Sequence, residues 1–372
     1  MLKYLNLQNK SCKSRTSIVR LYDRFRQQID RIDKNIVELL NRRAQVALQI
    51  GEIKKNTGRG IFSPIREQQI YKNIIRKNRG PLSEQDLKSI FTEIISASRS
   101  LEKHIAVAYL GPQMTYTHLA SLKKFGSSVS YTPCRTIEDV FSEVEKDSCD
   151  YGVVPIENSI EGPVEITLDM LVDTKLKIFS EIVVRISHFL LAPSKQIKIR
   201  KIYSKDQVFG QCRQYIKENY PDTQLVETSS TAEAAKIVSK TKDSACIASI
   251  LAAKMYSLNI IAKNIEDSYM NITKFLVLAR QDTERSGVDK TSIVFAVKDR
   301  PGALHDAILP FKKANINMTK IESRPSKKKA WDYYFFVDFS GHRTQKNIVK
   351  ALQELEKHCS YLNILGSYPV EK

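Results

Sequence analysis

Apolar residues recur at three- and four-residue steps through the first quarter of the chain. Ile29, Ile32, Ile36, Leu40, Arg43, Ala47, Ile50 and Lys54 fall on one stripe, the pattern of a long amphipathic helix. It closes at Asn56-Thr57-Gly58-Arg59-Gly60, a turn signal. Ser63-Pro64 then supplies an N-cap and a proline at the first helical position, predicting a second helix. A third opens at Ser83, with Asp86 as a capping-box partner. Its stripe runs Leu87, Ile90, Phe91, Ile94, Ile95, Ser98, Leu101 and Glu102. From Ile105 the rhythm changes: short apolar runs (Ile105–Leu110, Tyr151–Pro155, Ala245–Ala248) alternate with helical stretches, as in α/β folds. The run 281–290 is polar and reads as a linker. Beyond it, strands at Ser292–Val297, Asn317–Ser323 and Tyr333–Phe339 and helices near Pro301–Ala314 and Thr344–His358 predict a β-α-β-β-α-β order, the ferredoxin-like arrangement.

With 372 residues, the chain is too long for one ordinary core. The expectation is a multidomain protein: a basic, disordered tail over 1–20, an all-α three-helix domain over 21–103, an α/β domain over 104–282, and an α+β ferredoxin-like domain over 290–372. The apolar run Ile178–Pro193 carries Glu181, Arg185 and His188, which argues against a membrane span. Six scattered cysteines without a C-x-x-C pair fit free thiols in a reducing cytosol, and suggest no structural metal. The first 22 residues hold no acid; a disordered basic tail is the plain reading and an organellar transit segment the alternative.

Net charge is +18, and residues 1–103 hold 22 Lys/Arg against 10 Asp/Glu. A basic segment raises nucleic acid as a partner. The positive residues are nevertheless spread round the helices, without the basic–aromatic interleaving that stacks bases. Small polyanionic substrates account for the charge equally well.

Arg43 and Lys54 stand within the apolar stripe of the first helix. Eleven residues apart, they point within ~20° of each other and lie roughly 16 Å apart along the axis. A cation on a buried seam is costly unless an anion meets it. The alternatives are snorkelling to the rim or a local carboxylate. Glu102 poses the same problem on the third helix, where a buried carboxyl tends toward its neutral form.

Residues 21–103, from "RFRQQIDRIDKNIVELLNRRAQVALQIGEIKK" through "SPIREQ" to "IFTEIISASRSLE", resemble the all-helical chorismate mutases. The resemblance implies that Arg26 of the partner subunit, with Arg43, Lys54 and Arg66, holds chorismate, and that Glu67, Ser98 and Glu102 complete the polar wall. It names Lys54 and Glu102 as catalytic. That reaction is a unimolecular rearrangement: the site must hold a dicarboxylate in a compact conformer and stabilise charge on the breaking ether oxygen. Arg suits bidentate carboxylate contacts, Lys54 a point contact at the ether oxygen, and a protonated Glu102 a second donor there. Ser63 departs from the family, which commonly has an acid at that place.

Residues 104–282 resemble prephenate dehydratase in "VAYLGPQMTYTHLA", "DYGVVPIENSIEGPV", "YSKDQVFGQC", "SSTAEAA", "ACIASILAAKMYSL" and "NIEDSYMNITKFLVL". The implied fold is two-lobed α/β, periplasmic-binding-protein-like, with prephenate in the cleft. Thr273 is the implied proton donor to the departing ring hydroxyl. Helix N-termini carrying Thr115, Asn158, Ser159 and Thr231 are expected to meet the carboxylates, and Ser204, Gln211 and Lys274 complete the prephenate set. Gln113-Met114, Lys205 and Lys274 stand where the family usually has Glu-Gly, His and Arg. They motivate a rival reading, in which only the mutase is active and the dehydratase lobe has become arogenate-using or regulatory.

The C-terminal segment resembles an ACT domain of the dehydratase type. Gly302-Ala303-Leu304 and Glu322-Ser323-Arg324-Pro325 match its two motifs linked to phenylalanine binding. Together the resemblances imply a cytoplasmic bifunctional chorismate mutase–prephenate dehydratase, a homodimer or homotetramer, feedback-inhibited by L-phenylalanine. They imply no cofactor, nucleic acid or membrane. A remote rival is a nucleic-acid-binding amino-acid sensor, which would show steeply salt-dependent duplex binding.

Overall fold

No proline or glycine interrupts the chain before Gly51, and the first helix, α1, runs unbroken over Leu2–Thr57. Once nucleated, each added residue gains a hydrogen bond, so nothing local stops it. The segment 1–20, expected as a disordered tail, is therefore helical from Leu2 onward. This computed structural model describes residues 2–57, 60, 62–196, 198–327 and 332–371, with side chains from residue 19. Met1, and Gly58 and Arg59 of the expected terminator, lie outside the described residues, as do Lys328–Trp331 of the C-terminal motif and Lys372.

Helix α2 spans Pro64–Lys77 behind its expected cap, the Ser63 hydroxyl accepting from Arg66 N at 3.3 Å. Helix α3 spans Glu84–Glu102. Its cap is a variant of the expected box: Ser83 Oγ accepts from Asp86 N at 3.1 Å and donates to the Asp86 carboxylate at 2.6 Å. The chain forms two units, one of Met1–Ile61 with Ala97–Lys103, the other of Phe62–Ser96 with His104–Lys372. In the first unit the last turn of α3 packs on α1.

The second unit begins an α/β lobe with β1 (Ala106–Leu110), α4 (Tyr116–Phe125), β2 (Ser130–Cys134), α5 (Ile137–Glu145), β3 (Tyr151–Asn158), β4 (Gly162–Pro163), α6 (Glu165–Asp173) and β5 (Lys177–Arg185). A second lobe follows with β6 (Phe189–Ala192), β7 (Lys201–Ser204), α7 (Asp206–Gln211), α8 (Arg213–Asn219), β8 (Gln224–Glu227), α9 (Thr231–Val238), β9 (Ser244–Ala248), α10 (Ile250–Met255) and β10 (Asn259–Lys263). The chain then returns to the first lobe as β11 (Ile272–Ala279). The first sheet has the order β2-β1-β3-β11-β5, with β4 beside β3, and the second β10-β6-β9-β7-β8. Two crossings, at 186–188 and 264–271, thus join the lobes. They are zipped together by Ile186 N to Asn271 O (2.8 Å) and Ile265 N to His188 O (3.1 Å).

The remaining elements are β12 (Asp289–Val297), α11 (Ala303–Lys313), β13 (Met318–Pro325), β14 (Tyr333–Ser340), α12 (Lys346–His358) and β15 (Cys359–Pro369). Their sheet order β13-β14-β12-β15 is antiparallel throughout and ferredoxin-like. One face packs on α11 and α12 through Phe295, Phe311, Phe339 and Leu355. The other joins the core of the first lobe through Val294, Phe336, Leu365 and Tyr368. The expected linker is polar but tied down: Asp289 is buried and accepts from Ser286 N and Gly287 N, and the Thr283 hydroxyl donates to Ser367 O. No helix among the described residues is long and apolar enough to cross a membrane.

Candidate active sites

On α1, Arg43 and Lys54 both turn toward the last turn of α3. Arg43 donates to the buried Ser98 hydroxyl, and Lys54 Nζ lies 3.3 Å from Glu102 Oε2. Their partners on α3 are only four residues apart, about 6 Å of helix, whereas the cations are separated by about 16 Å on α1. The two long side chains therefore converge, giving a cationic clamp with a polar floor. Glu102, expected as a neutral donor, here accepts from Lys54. Arg26, on the same helix, lies about 25 Å from Arg43 along the axis and stacks over Tyr22, 4.4 Å from the ring centroid. The distance places it beyond reach of a substrate held by Arg43 of its own chain. In the second unit, Arg66 is exposed and Glu67 buried in the first turn of α2, where an acidic residue suits the helix dipole.

Gly51 was not foreseen. A Cβ there would meet Glu102 Cγ at 2.9 Å and Cβ at 3.2 Å. The signal was a glycine inside a strong helical pattern, which usually marks a close approach.

Between the two lobes lies a cavity of about 620 Å³ lined by Asn158, Glu161, Gly162, Pro163, Val164 and Gln207. Its floor follows from strand register. Thr273 is directly opposite Asn158 in the antiparallel β11–β3 pair, so both side chains share a face. Asn158 Nδ2 donates to Thr273 Oγ1 and to Asn271 Oδ1, each at 2.8 Å. Asn271 Nδ2 donates to Gln211 Oε1 at 2.9 Å, and Gln211 Nε2 to Glu161 Oε1 at 2.9 Å. Glu161 reaches from the first lobe to Gln207 as well, at 2.9 Å. A carboxylate in this cavity is thus met by two amide donors of the second lobe.

Several expected members stand elsewhere. Lys274, next to Thr273, points to the other face of the sheet, as strand alternation requires. There it meets Glu157 Oε2 at 3.2 Å, as does Lys320 from β13 at the same distance. It is not in the cleft, and the Arg-to-Lys departure bears on this back-face pair. Burial raises the Glu157 carboxyl, but Lys320 and Lys274 outweigh it and hold its pKa below the ordinary value.

Asn158 and Ser159 do not head a helix. Asn158 ends β3 and closes a turn by accepting from Ile160 N and Glu161 N at 2.9 and 3.1 Å. The Ser159 hydroxyl joins Met270 O and Ile272 N at 2.5 and 2.9 Å. Ser204 is fully buried and donates to Ile247 O at 2.8 Å. Thr115 caps α4, accepting from His118 N at 3.3 Å, and Thr231 opens α9 behind the cap Ser230. Met114 has φ +70°, which explains the usual glycine; a side chain in this left-handed region costs about 1–2 kcal/mol.

Sequence reasoning missed Asn271 and His188. Asn271 precedes Thr273 by two residues, the strand period, so it was within reach of the pattern. His188 is 1% exposed and was visible only as a polar break in an apolar run.

In the C-terminal domain, Gly302 has φ +76° and heads α11, with Ala303 buried behind it. Glu322, Ser323, Arg324 and Pro325 end β13. Arg324 does not stand open to a ligand: it binds Glu165 Oε1 at 2.8 Å and the Asp169 carboxylate at 3.3 Å on α6.

A cationic clamp on a long helix, a polar cleft between two α/β lobes and a ferredoxin-like sheet docked behind it define a multidomain enzyme for small carboxylated substrates. Family models agree region by region: chorismate mutase type II matches residues 25–103, prephenate dehydratase 107–283, and the ACT domain 291–357. The chain is 51% identical to the bifunctional chorismate mutase/prephenate dehydratase of Aquifex aeolicus over 93% of its length and 97% of the relative's. The same-named protein of Pseudomonas aeruginosa is 40% identical over 93% and 96%. Among solved structures, the prephenate dehydratase of Arthrobacter aurescens in complex with L-Phe is 32% identical with a TM-score of 0.67, covering 72% of this chain and 90% of that one. The chain belongs to the bifunctional chorismate mutase/prephenate dehydratase family.

Proposed function

We infer that this chain rearranges chorismate to prephenate in its helical domain. Its two-lobed domain then converts prephenate to phenylpyruvate, water and carbon dioxide. The observation that carries this reading is the presence on one chain of both sites: the Arg43–Lys54 clamp, and a cleft whose Asn158 donates to Thr273. In the first site no nucleophile is needed. Arg43 holds a carboxylate, Ser98 completes the wall, and Lys54 meets the ether oxygen as its carbon bond breaks. Arg26 comes from a second copy of the chain.

In the second site the ring hydroxyl leaves as water and the ring carboxylate as carbon dioxide. Thr273 Oγ1 accepts from Asn158, and no described protein group accepts its own proton. That proton is free for the departing hydroxyl, and the Asn158 donor stabilises the charge left on Oγ1. Gln207 and Gln211, which now hold Glu161, supply donors for a substrate carboxylate. Relatives named for both activities support this reading over a single live mutase. The ACT domain reads as the sensor for L-phenylalanine, which inhibits by binding the low-activity arrangement more tightly.

The test supplies chorismate alone to the full-length chain and follows prephenate and phenylpyruvate with time. Prephenate rising first and phenylpyruvate after it is expected. Prephenate that accumulates unconverted would overturn the dehydratase assignment, and unchanged chorismate the mutase.

A further inference from the structure

The amide chain beneath the cleft has a direction, set at one end by the half-buried Asn158. Asn158 Oδ1 is committed to two backbone N–H groups, so Nδ2 is the end facing Thr273 and Asn271. Asn271 then accepts through Oδ1 and donates through Nδ2 to Gln211 Oε1, and Gln211 Nε2 faces the cleft at Glu161. His188 Nε2 lies 2.8 Å from that same Gln211 Oε1. Facing an acceptor, Nε2 must carry a proton.

The other ring nitrogen, Nδ1, is 3.2 Å from the Tyr116 hydroxyl, which donates to Ser187 O at 2.6 Å. Burial lowers the pKa of His188, against weaker opposing effects of Gln211 and Glu266, which favours the neutral ring with Nδ1 bare. The backbone fixes the residue as firmly: His188 N donates to Glu266 Oε2 at 2.8 Å, and its carbonyl accepts from Ile265 in the facing crossing.

We propose that His188 is a positioning residue for dehydration, its Nε2–H joining the Asn271 donor on Gln211 Oε1 so that the Gln211 amide keeps its own donor toward the cleft. His188 touches no substrate. Without it the Gln211 oxygen keeps the Asn271 donor alone, and the amide is held less firmly against turning over. A turned amide presents its oxygen to the substrate carboxylate and its NH2 to the NH2 of Asn271, so the cleft loses a donor and the link to Asn271 is broken. The inference rests on the proposed role of Thr273 and on a carboxylate-bearing substrate in this cleft. The competing account is a hinge histidine that serves only to hold the two crossings together.

The experiment compares His188→Gln with His188→Met in the full-length chain. The two side chains are alike in length and shape, and only Gln carries a donor. Turnover of supplied prephenate is expected to be about tenfold or more faster in the Gln variant. The conversion of chorismate to prephenate serves as an internal control and should be equal in both. Equal dehydration rates in the two folded variants would overturn the proposal and leave a hinge residue. If the Met variant does not fold, His188→Leu, which also lacks a donor, takes its place. A loss of about threefold or more relative to the Gln variant is then expected, and an equal rate would overturn the proposal. Thr273→Ala separates the two levels: full dehydration there removes the underlying reading, whereas its loss alongside equal Gln and Met rates removes only the role of His188.

Discussion

At the scale of single residues, the proposed mutase site depends on an atom that is absent. Gly51 faces Glu102 so closely that an added methyl would lie 2.9 Å from Glu102 Cγ. Alanine would favour the helix by about 1 kcal/mol, so local stability and site geometry pull in opposite directions. Gly51→Ala is expected to lower chorismate turnover by about tenfold or more as Glu102 is pushed from Lys54, while thermal stability holds and supplied prephenate is still consumed. Full mutase activity in that variant would show that Glu102 can shift without cost. The same scale separates Thr273 from Lys274: adjacent in sequence and both expected at prephenate, they face opposite sides of one sheet. A motif names its residues in a row, whereas the pleat of a strand sorts them.

At the scale of elements, β13 ties the C-terminal domain to the cleft. Its Lys320 meets Glu157, the neighbour of Asn158, and its Arg324 clamps Glu165 and Asp169 of α6, the helix that follows the cleft-lining turn. Burial raises the Asp169 carboxyl, but Lys327 and Arg324 outweigh it and hold its pKa below the usual value. Under the proposed sensing, an effector at Glu322–Pro325 acts on a strand already joined to the dehydratase lobe. Arg324→Ala is expected to raise the phenylalanine concentration for half-inhibition about fivefold or more, a coupling of ordinary allosteric size, with mutase turnover unchanged. Inhibition at the original concentration would remove Arg324 from the coupling. A second interdomain contact, Lys290 with Glu181 and Asp338, crosses the same face. Burial depresses the Lys290 ammonium, yet Tyr368, Asp338 and Glu181 together raise its pKa above the usual value.

At the scale of the whole molecule, α1 poses a demand one chain does not meet. Its 56 residues span about 84 Å, and Phe25, Ile29, Ile32 and Ile36 remain about half exposed. A second copy laid along the helix would cover that stripe and bring its own Arg26 to the Arg43–Lys54 clamp. Light scattering at micromolar concentration is expected to give a dimer or tetramer, and a monomer with full mutase activity would contradict a shared site. The three-part order, the caps at Ser63 and Ser83, the inward cations of α1 and the Thr273 motif were legible along the chain, because periodicity, capping chemistry and motif order are local properties. Tertiary structure decided the rest. It set Asn158 against Thr273, sent Lys274 to the back face, brought His188 and Asn271 from two crossings to one amide, and committed Arg324 to α6. Those relations depend on strand register and on segments far apart in the chain, which no local pattern encodes.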